Sequence, residues 1–136
     1  MTPDELRART KKFSLEVLKV ARRLPNDVAT REIVGQLVRS GTSVGANYRS
    51  SCRARSDKEL IAKLGVVEDE ADETMFWLEL LVDDGILRLR DVERLIDEAD
   101  QIVRIMVASI RTARLRRADR KTAKKARQKS PIDNHQ

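Results

Sequence analysis

RSGTSVGANYRSSCRARSDKELIAKLGVVEDEADETMFWLELL, residues 39–81, decides the fold. In its first part Val44 and Tyr48 continue an apolar stripe begun at Ile33 and Leu37, with Val34, Val38, Gly41, Gly45 and Cys52 beside it, at the steps of three and four that mark one helical face. Ser56-Asp57-Lys58-Glu59 then has the form of a capping box, which starts a new helix. From there Leu60, Leu64, Val67, Ala71, Met75, Leu78 and Leu81 form a second stripe. The stretch therefore encodes two helices joined by a tight connection. Gly35, Gly41 and Gly45 in mid-helix each cost roughly 1 kcal/mol relative to Ala. Close approach of a neighbouring helix across a surface without side chains is expected to offset that.

On the N-terminal side, Thr2-Pro3-Asp4-Glu5 combines a cap, a first-turn proline and a capping-box Glu. Leu6, Phe13, Val17, Val20 and Leu24 follow on one face, with Thr10 filling the gap, and Pro25 stops the helix. The second helix is expected from about Thr30 to Arg53. On the C-terminal side, Asp83-Asp84-Gly85 closes the third helix, with Gly85 as a left-handed cap. Asp91 opens a fourth, whose stripe is Val92, Leu95, Ile96, Ala99, Ile102, Val103, Met106 and Ile110. No segment alternates with period two. With 37% charged and 3% aromatic residues in 136, the composition suits long helices. The expected fold is all-α: an antiparallel up-and-down four-helix bundle over residues 1–110, then a basic helical extension and disordered tail over 111–136. Helix is expected to about Ala118 and disorder over 130–136.

The net charge of +6 resides in that extension. Residues 111–136 hold ten Lys/Arg against two acids, +8, whereas residues 1–110 hold eighteen against twenty, −2. The single cysteine excludes an internal disulfide and fits a reducing compartment. The opening residues lack the apolar core of a signal peptide, and no apolar run approaches the roughly 20 residues of a membrane helix. A soluble cytoplasmic protein is expected.

Candidate chemistry is sparse. Gly41-Thr42-Ser43-Val44-Gly45 matches the G-x-S-x-G of a nucleophile elbow, but that motif needs a strand-to-helix turn and a histidine base. Here it lies inside a helix, and the sole histidine, His135, is next to the last residue. Ser43 is expected to bond its own backbone. Glu68, Asp69, Glu70, Asp72, Glu73, Glu79, Asp83 and Asp84 form an acidic run, yet a di-metal carboxylate bundle also needs Glu-x-x-His pairs, and no helix carries a histidine. No metal, no cofactor and no enzymatic reaction is expected. Glu70 and Glu73, flanked by Ala71, Thr74 and Trp77, need Arg or Asn partners if partly buried. Asn47, between Val44 and Tyr48, is expected to fix helix register or meet a carboxylate of the third helix. Cys52 reads as a small core residue.

The basic residues form two clusters. Arg49, Arg53, Arg55, Lys58 and Lys63 surround the connection between the second and third helices. Arg111, Arg114, Arg116, Arg117, Arg120, Lys121, Lys124, Lys125 and Arg127 lie in the extension. Multiple Lys/Arg contacts to phosphates give affinity through counterion release, without sequence readout. Neither cluster carries the aromatics that stack bases. Phe76 and Trp77 on the third helix, and Ile105 and Val107 on the fourth, lie off the main stripes, which points to subunit contacts.

With these residues placed, the stretch resembles the four-helix-bundle family encoded by intervening sequences in bacterial large-subunit (23S) ribosomal RNA genes. The matching positions are Ser40, Ser43, Val44, Gly45, Ala46 and Asn47, then Ser56, then Glu70, Ala71, Glu73, Thr74, Trp77 and Leu78. Phe13-Ser14-Leu15 and the Leu24-Pro25 turn are also similar, so the likeness spans residues 10–110. It implies a barrel-like homopentamer associated with ribosomal RNA, with Ser43, Asn47, Glu70, Glu73 and Trp77 as structural motif residues. A structurally similar relative, the accessory variability protein of diversity-generating retroelements, is a basic pentamer that binds a reverse transcriptase and nucleic acid. The chain departs from the pattern at Tyr48-Arg49-Ser50 and in its basic extension. The expected function is non-enzymatic binding of nucleic acid, RNA in preference to DNA, by a homo-oligomer. The alternative is an oligomeric protein–protein adaptor, such as a reverse-transcriptase accessory protein, that uses the acidic third helix.

Overall fold

A computed structural model describes residues 1–129; the disorder expected for 130–136, and His135 with it, lies outside the described residues. The described chain is all-helical: α1 (Pro3–Ala21), α2 (Val28–Ser51), α3 (Asp57–Asp83) and α4 (Leu89–Lys129). α1 packs on α2, α2 on α3 and α3 on α4, and a narrower α4–α1 seam closes the four-helix bundle.

Local chemistry sets the ends. The Thr2 hydroxyl accepts from the Glu5 N–H at 3.1 Å, Asp27 accepts from Thr30 at 3.1 Å and Ser56 accepts from Glu59 at 3.1 Å, so three helices start on a side-chain cap. α3 stops on a Schellman motif: Gly85 has φ +78°, its N–H reaches the Val82 carbonyl at 3.0 Å, and the Ile86 N–H reaches the Leu81 carbonyl at 2.9 Å.

The core is built from the stripes. Phe13 and Val17 of α1, Leu37 and Val44 of α2, Val67, Leu78 and Leu81 of α3, and Ile102 and Met106 of α4 are essentially inaccessible. Each such side chain contributes about 1.5–3 kcal/mol relative to exposure. The glycine expectation holds at two positions of three. A Cβ on Gly41 would stand 2.5 Å from Val17 Cγ1, and one on Gly45 would stand 3.2 Å from the Thr10 carbonyl oxygen and 3.3 Å from Lys11 Cα. Between them, Ser14 ties α1 to α2 by donating to the Gly41 carbonyl at 2.7 Å and accepting from the Gly45 N–H at 3.1 Å. Gly35 meets nothing within 4 Å, so no close approach accounts for it.

Several expectations change. α4 continues unbroken past Ala118 to Lys129, with Ala113 buried. Cys52 caps the C-terminus of α2 and is exposed, not a core residue. Ile105 and Trp77 pack against the core cluster, while Phe76 and Val107 are exposed. Asn47 donates to the Ser43 carbonyl one turn back in α2, at 2.9 Å, rather than to a carboxylate of α3.

Candidate nucleic-acid interface

The start of α1, the end of α2 and the start of α3 converge where α4 leaves the bundle. Here lies a cleft of about 660 Å³, lined by Leu6, Tyr48, Arg55, Asp57, Arg116 and Arg120 among others. Its centre is Asp57, first residue of α3, whose side chain is only 9% exposed. Its Oδ1 accepts from Arg116 Nε at 3.3 Å, and its Oδ2 accepts from Arg120 Nη1 at 2.6 Å. An otherwise uncompensated buried carboxylate is thus paired with two guanidiniums one helical turn apart. Tyr48 sits in the wall, 5% exposed. Burial, and next the neighbouring Cys52 thiol, push its phenol up to about 12.

The structure brings part of each basic cluster together. Arg55 and the adjacent Lys58 flank Asp57 in sequence, and Arg116 and Arg120 reach it from α4. Arg53 and Arg55 are exposed, as is Lys58. Lys63 instead donates to Ser50 Oγ at 2.8 Å, tying α3 to the last turn of α2. Arg111 and Arg114 line a separate groove with Glu68, Val107 and Leu115. Arg49 lies in a third groove with Arg7 and Lys11 of α1. Arg117 is half-buried, whereas Lys121, Lys124, Lys125 and Arg127 are exposed on the last turns of α4. At 1.5 Å per residue those turns carry the helix roughly 13 Å past Arg120.

Arg7 and Lys11 add to the basic surface and lie outside the two clusters that the sequence marks. Their i,i+4 spacing on the polar side of α1 is the signal that could have found them. In the sequence Asp57 is marked only as part of a capping box. Nothing local marks it as the partner of residues 59 and 63 positions further on.

Glu70 and Glu73 find an arginine, as burial requires. Arg39 of α2 donates to Glu70 Oε2 at 2.9 Å and to Glu73 Oε2, which also accepts from Trp77 Nε1 at 3.0 Å. The Trp77 hydrogen bond, then Arg39, hold the Glu73 carboxyl below its usual range. Behind this pair, Thr74 Oγ1 and Ser40 Oγ are bonded at 2.9 Å in the buried α2–α3 seam. All of these polar groups are occupied with one another, which is the pattern of a helix-register device. The G-x-S-x-G match lies wholly within α2, with Gly41 and Gly45 turned to α1. Among the described residues no group of three or more His, Cys, Asp or Glu could hold a metal ion. No helix of the described residues is long and apolar enough to cross a membrane.

Comparison with known proteins agrees with the bundle. Residues 5–108 match the model of the 23S rRNA-intervening sequence protein family. A crystal structure from Bacteroides thetaiotaomicron, of a protein with unknown function from the S23 ribosomal protein family, superposes with a TM-score of 0.73 at 27% identity, covering 82% of this chain and 99% of that one. No curated protein matches.

Proposed function

The chain belongs to the 23S rRNA-intervening sequence protein family, and from that premise we propose that it binds structured RNA, without catalysing a reaction, through the basic end of its bundle. The observation that carries this reading is the meeting of two basic clusters far apart in sequence around Asp57, continued by the exposed basic turns of α4. Phosphate contacts of this kind give affinity that falls steeply with salt, and A-form helices and loops are recognised by shape and backbone more than by sequence. In this reading the protein acts as a homo-oligomer, with a pentamer expected, and RNA is preferred to DNA. Exposed apolar side chains, Leu15 on α1, Phe76 on α3 and Val107 on α4, supply the contact surfaces.

A second reading is supported by the outer face of α3. There Val66 and Phe76 are exposed among the acids Asp69, Asp72 and Glu79. A mixed apolar and acidic face suits a protein partner, and an adaptor would use it with nucleic acid incidental.

The test is binding of the full-length protein to a structured RNA and to duplex DNA across a salt series. It is compared with a variant in which Lys121, Lys124, Lys125 and Arg127 are changed to Gln. The expected result is RNA binding with a steep salt slope that flattens by about 0.9 for each phosphate contact removed. Absence of binding to either nucleic acid at about 0.15 M salt, where nonspecific phosphate contacts persist, would overturn the reading in favour of the adaptor.

A further inference from the structure

We propose that Arg116 and Arg120, held by Asp57 and joined by Arg55 across the cleft, form a pre-oriented seat for one phosphate group of the bound nucleic acid. The inference rests on the nucleic-acid reading above and goes beyond it, since it assigns one specific phosphate site and a positioning residue within a surface otherwise described by charge alone.

The geometry distinguishes these arginines from the rest of the basic surface. A guanidinium has five N–H donors in a rigid fork. Arg116 uses its Nε on Asp57 and Arg120 uses one Nη1 hydrogen, so each keeps donors for a second acceptor. Their side chains remain 46% and 66% exposed while the carboxylate that fixes them is 9% exposed. The anchor is inside and the free edges are outside. Arg55 lines the same cleft, giving three guanidiniums against one carboxylate and a net positive seat. Planar forks match phosphate oxygens two at a time, and donors oriented in advance lose less freedom on binding than the lysines of the last α4 turns.

This makes the sign of one substitution diagnostic. Asp57→Asn adds a unit of positive charge, so attraction by overall charge would tighten binding; loss of the anchor loosens it. Full-length wild type, Asp57→Asn, Arg116→Lys/Arg120→Lys and Lys124→Gln/Lys125→Gln are compared for binding to a fluorescent RNA hairpin at about 0.1 M salt. Circular dichroism checks that each is folded. Asp57→Asn is expected to weaken binding about fivefold and the charge-preserving Lys pair about tenfold. Inorganic phosphate is expected to displace RNA from wild type more effectively than chloride at equal ionic strength, and to lose that advantage in the Lys pair. Equal effects of the two anions on wild type would show that phosphate acts there only by ionic screening, and would overturn the seat.

If Asp57→Asn does not fold, the Lys pair, whose changes lie on exposed side chains, decides the matter. RNA binding by wild type with Asp57→Asn as tight or tighter, or with the Lys pair unchanged, overturns the seat and leaves the nucleic-acid reading standing. No RNA binding by wild type overturns both.

Discussion

Tyr48 gives the cleft wall a measurable property. It is 95% buried in the cleft wall beside Cys52, and the phenol is pushed up to about 12, first by burial and then by the thiol. The raised value means the fold favours the neutral phenol. That contribution to stability is fully present below the ordinary value near 10 and is lost as pH rises from about 10 through about 12. The full effect is on the order of 2 kcal/mol. Because the chain has a single tyrosine, phenolate absorbance reports this group alone. The folded protein should titrate with a midpoint near 12, and its urea midpoint should decline over the same interval. A phenolate midpoint near 10 in folded protein would show that the side chain is open to solvent. Periodicity placed Tyr48 on the buried face of α2, but its company in a cleft depends on where α4 passes, which no local pattern encodes.

At the scale of elements, the glycines of α2 separate two effects that the sequence alone could only add together. All three lower helix propensity, and from sequence all three call for the same offset. In the structure only Gly41 and Gly45 face α1, and there the missing Cβ admits Val17, Thr10 and Lys11. Gly41→Ala should destabilise by about 1–3 kcal/mol, since the methyl would collide with a β-branched side chain that is itself fully buried. Gly35→Ala, which meets nothing within 4 Å on an exposed position, should stabilise by about 0.5–1 kcal/mol. Urea denaturation of the two variants beside wild type gives the signs, and equal signs would refute the packing account. The elements were legible because caps and apolar steps act over three or four residues. Ser56 and Glu59, Gly85, and the buried positions of the α1 to α3 stripes reappear where the spacing predicts them, apart from Cys52, which is exposed, and Leu24, which lies past the end of α1. The length of α4 was not legible: its apolar stripe ends near Ile110, and the later turns rest on the intrinsic preference of Ala, Arg, Lys and Gln for helix. The Lys and Arg at its end also suit the negative pole of the helix dipole.

In the whole molecule, these helical turns do two separable jobs, and the division falls inside the basic extension. Up to Arg120 the extension belongs to the bundle. Ala113 is 1% exposed, and Arg116 and Arg120 compensate the Asp57 carboxylate. Beyond Arg120 every described residue is exposed. A boundary drawn from hydrophobic periodicity at residue 110 therefore cuts through packed structure, because the Asp57 contacts are ionic and long-range and leave no apolar signature. Truncation after residue 110 should lower stability by about 1–3 kcal/mol, the range for a buried polar group that loses its partners. The lower end is expected, since removing the helix also lets water reach Asp57. Truncation after residue 120 should leave the urea midpoint within about 0.5 kcal/mol of wild type, as for surface changes away from any packed feature. Equal midpoints for the two truncations would show that Asp57 draws no stability from its arginines. A loss confined to the shorter form would show that the basic end is folded structure as far as Arg120, and a free electrostatic arm only after it.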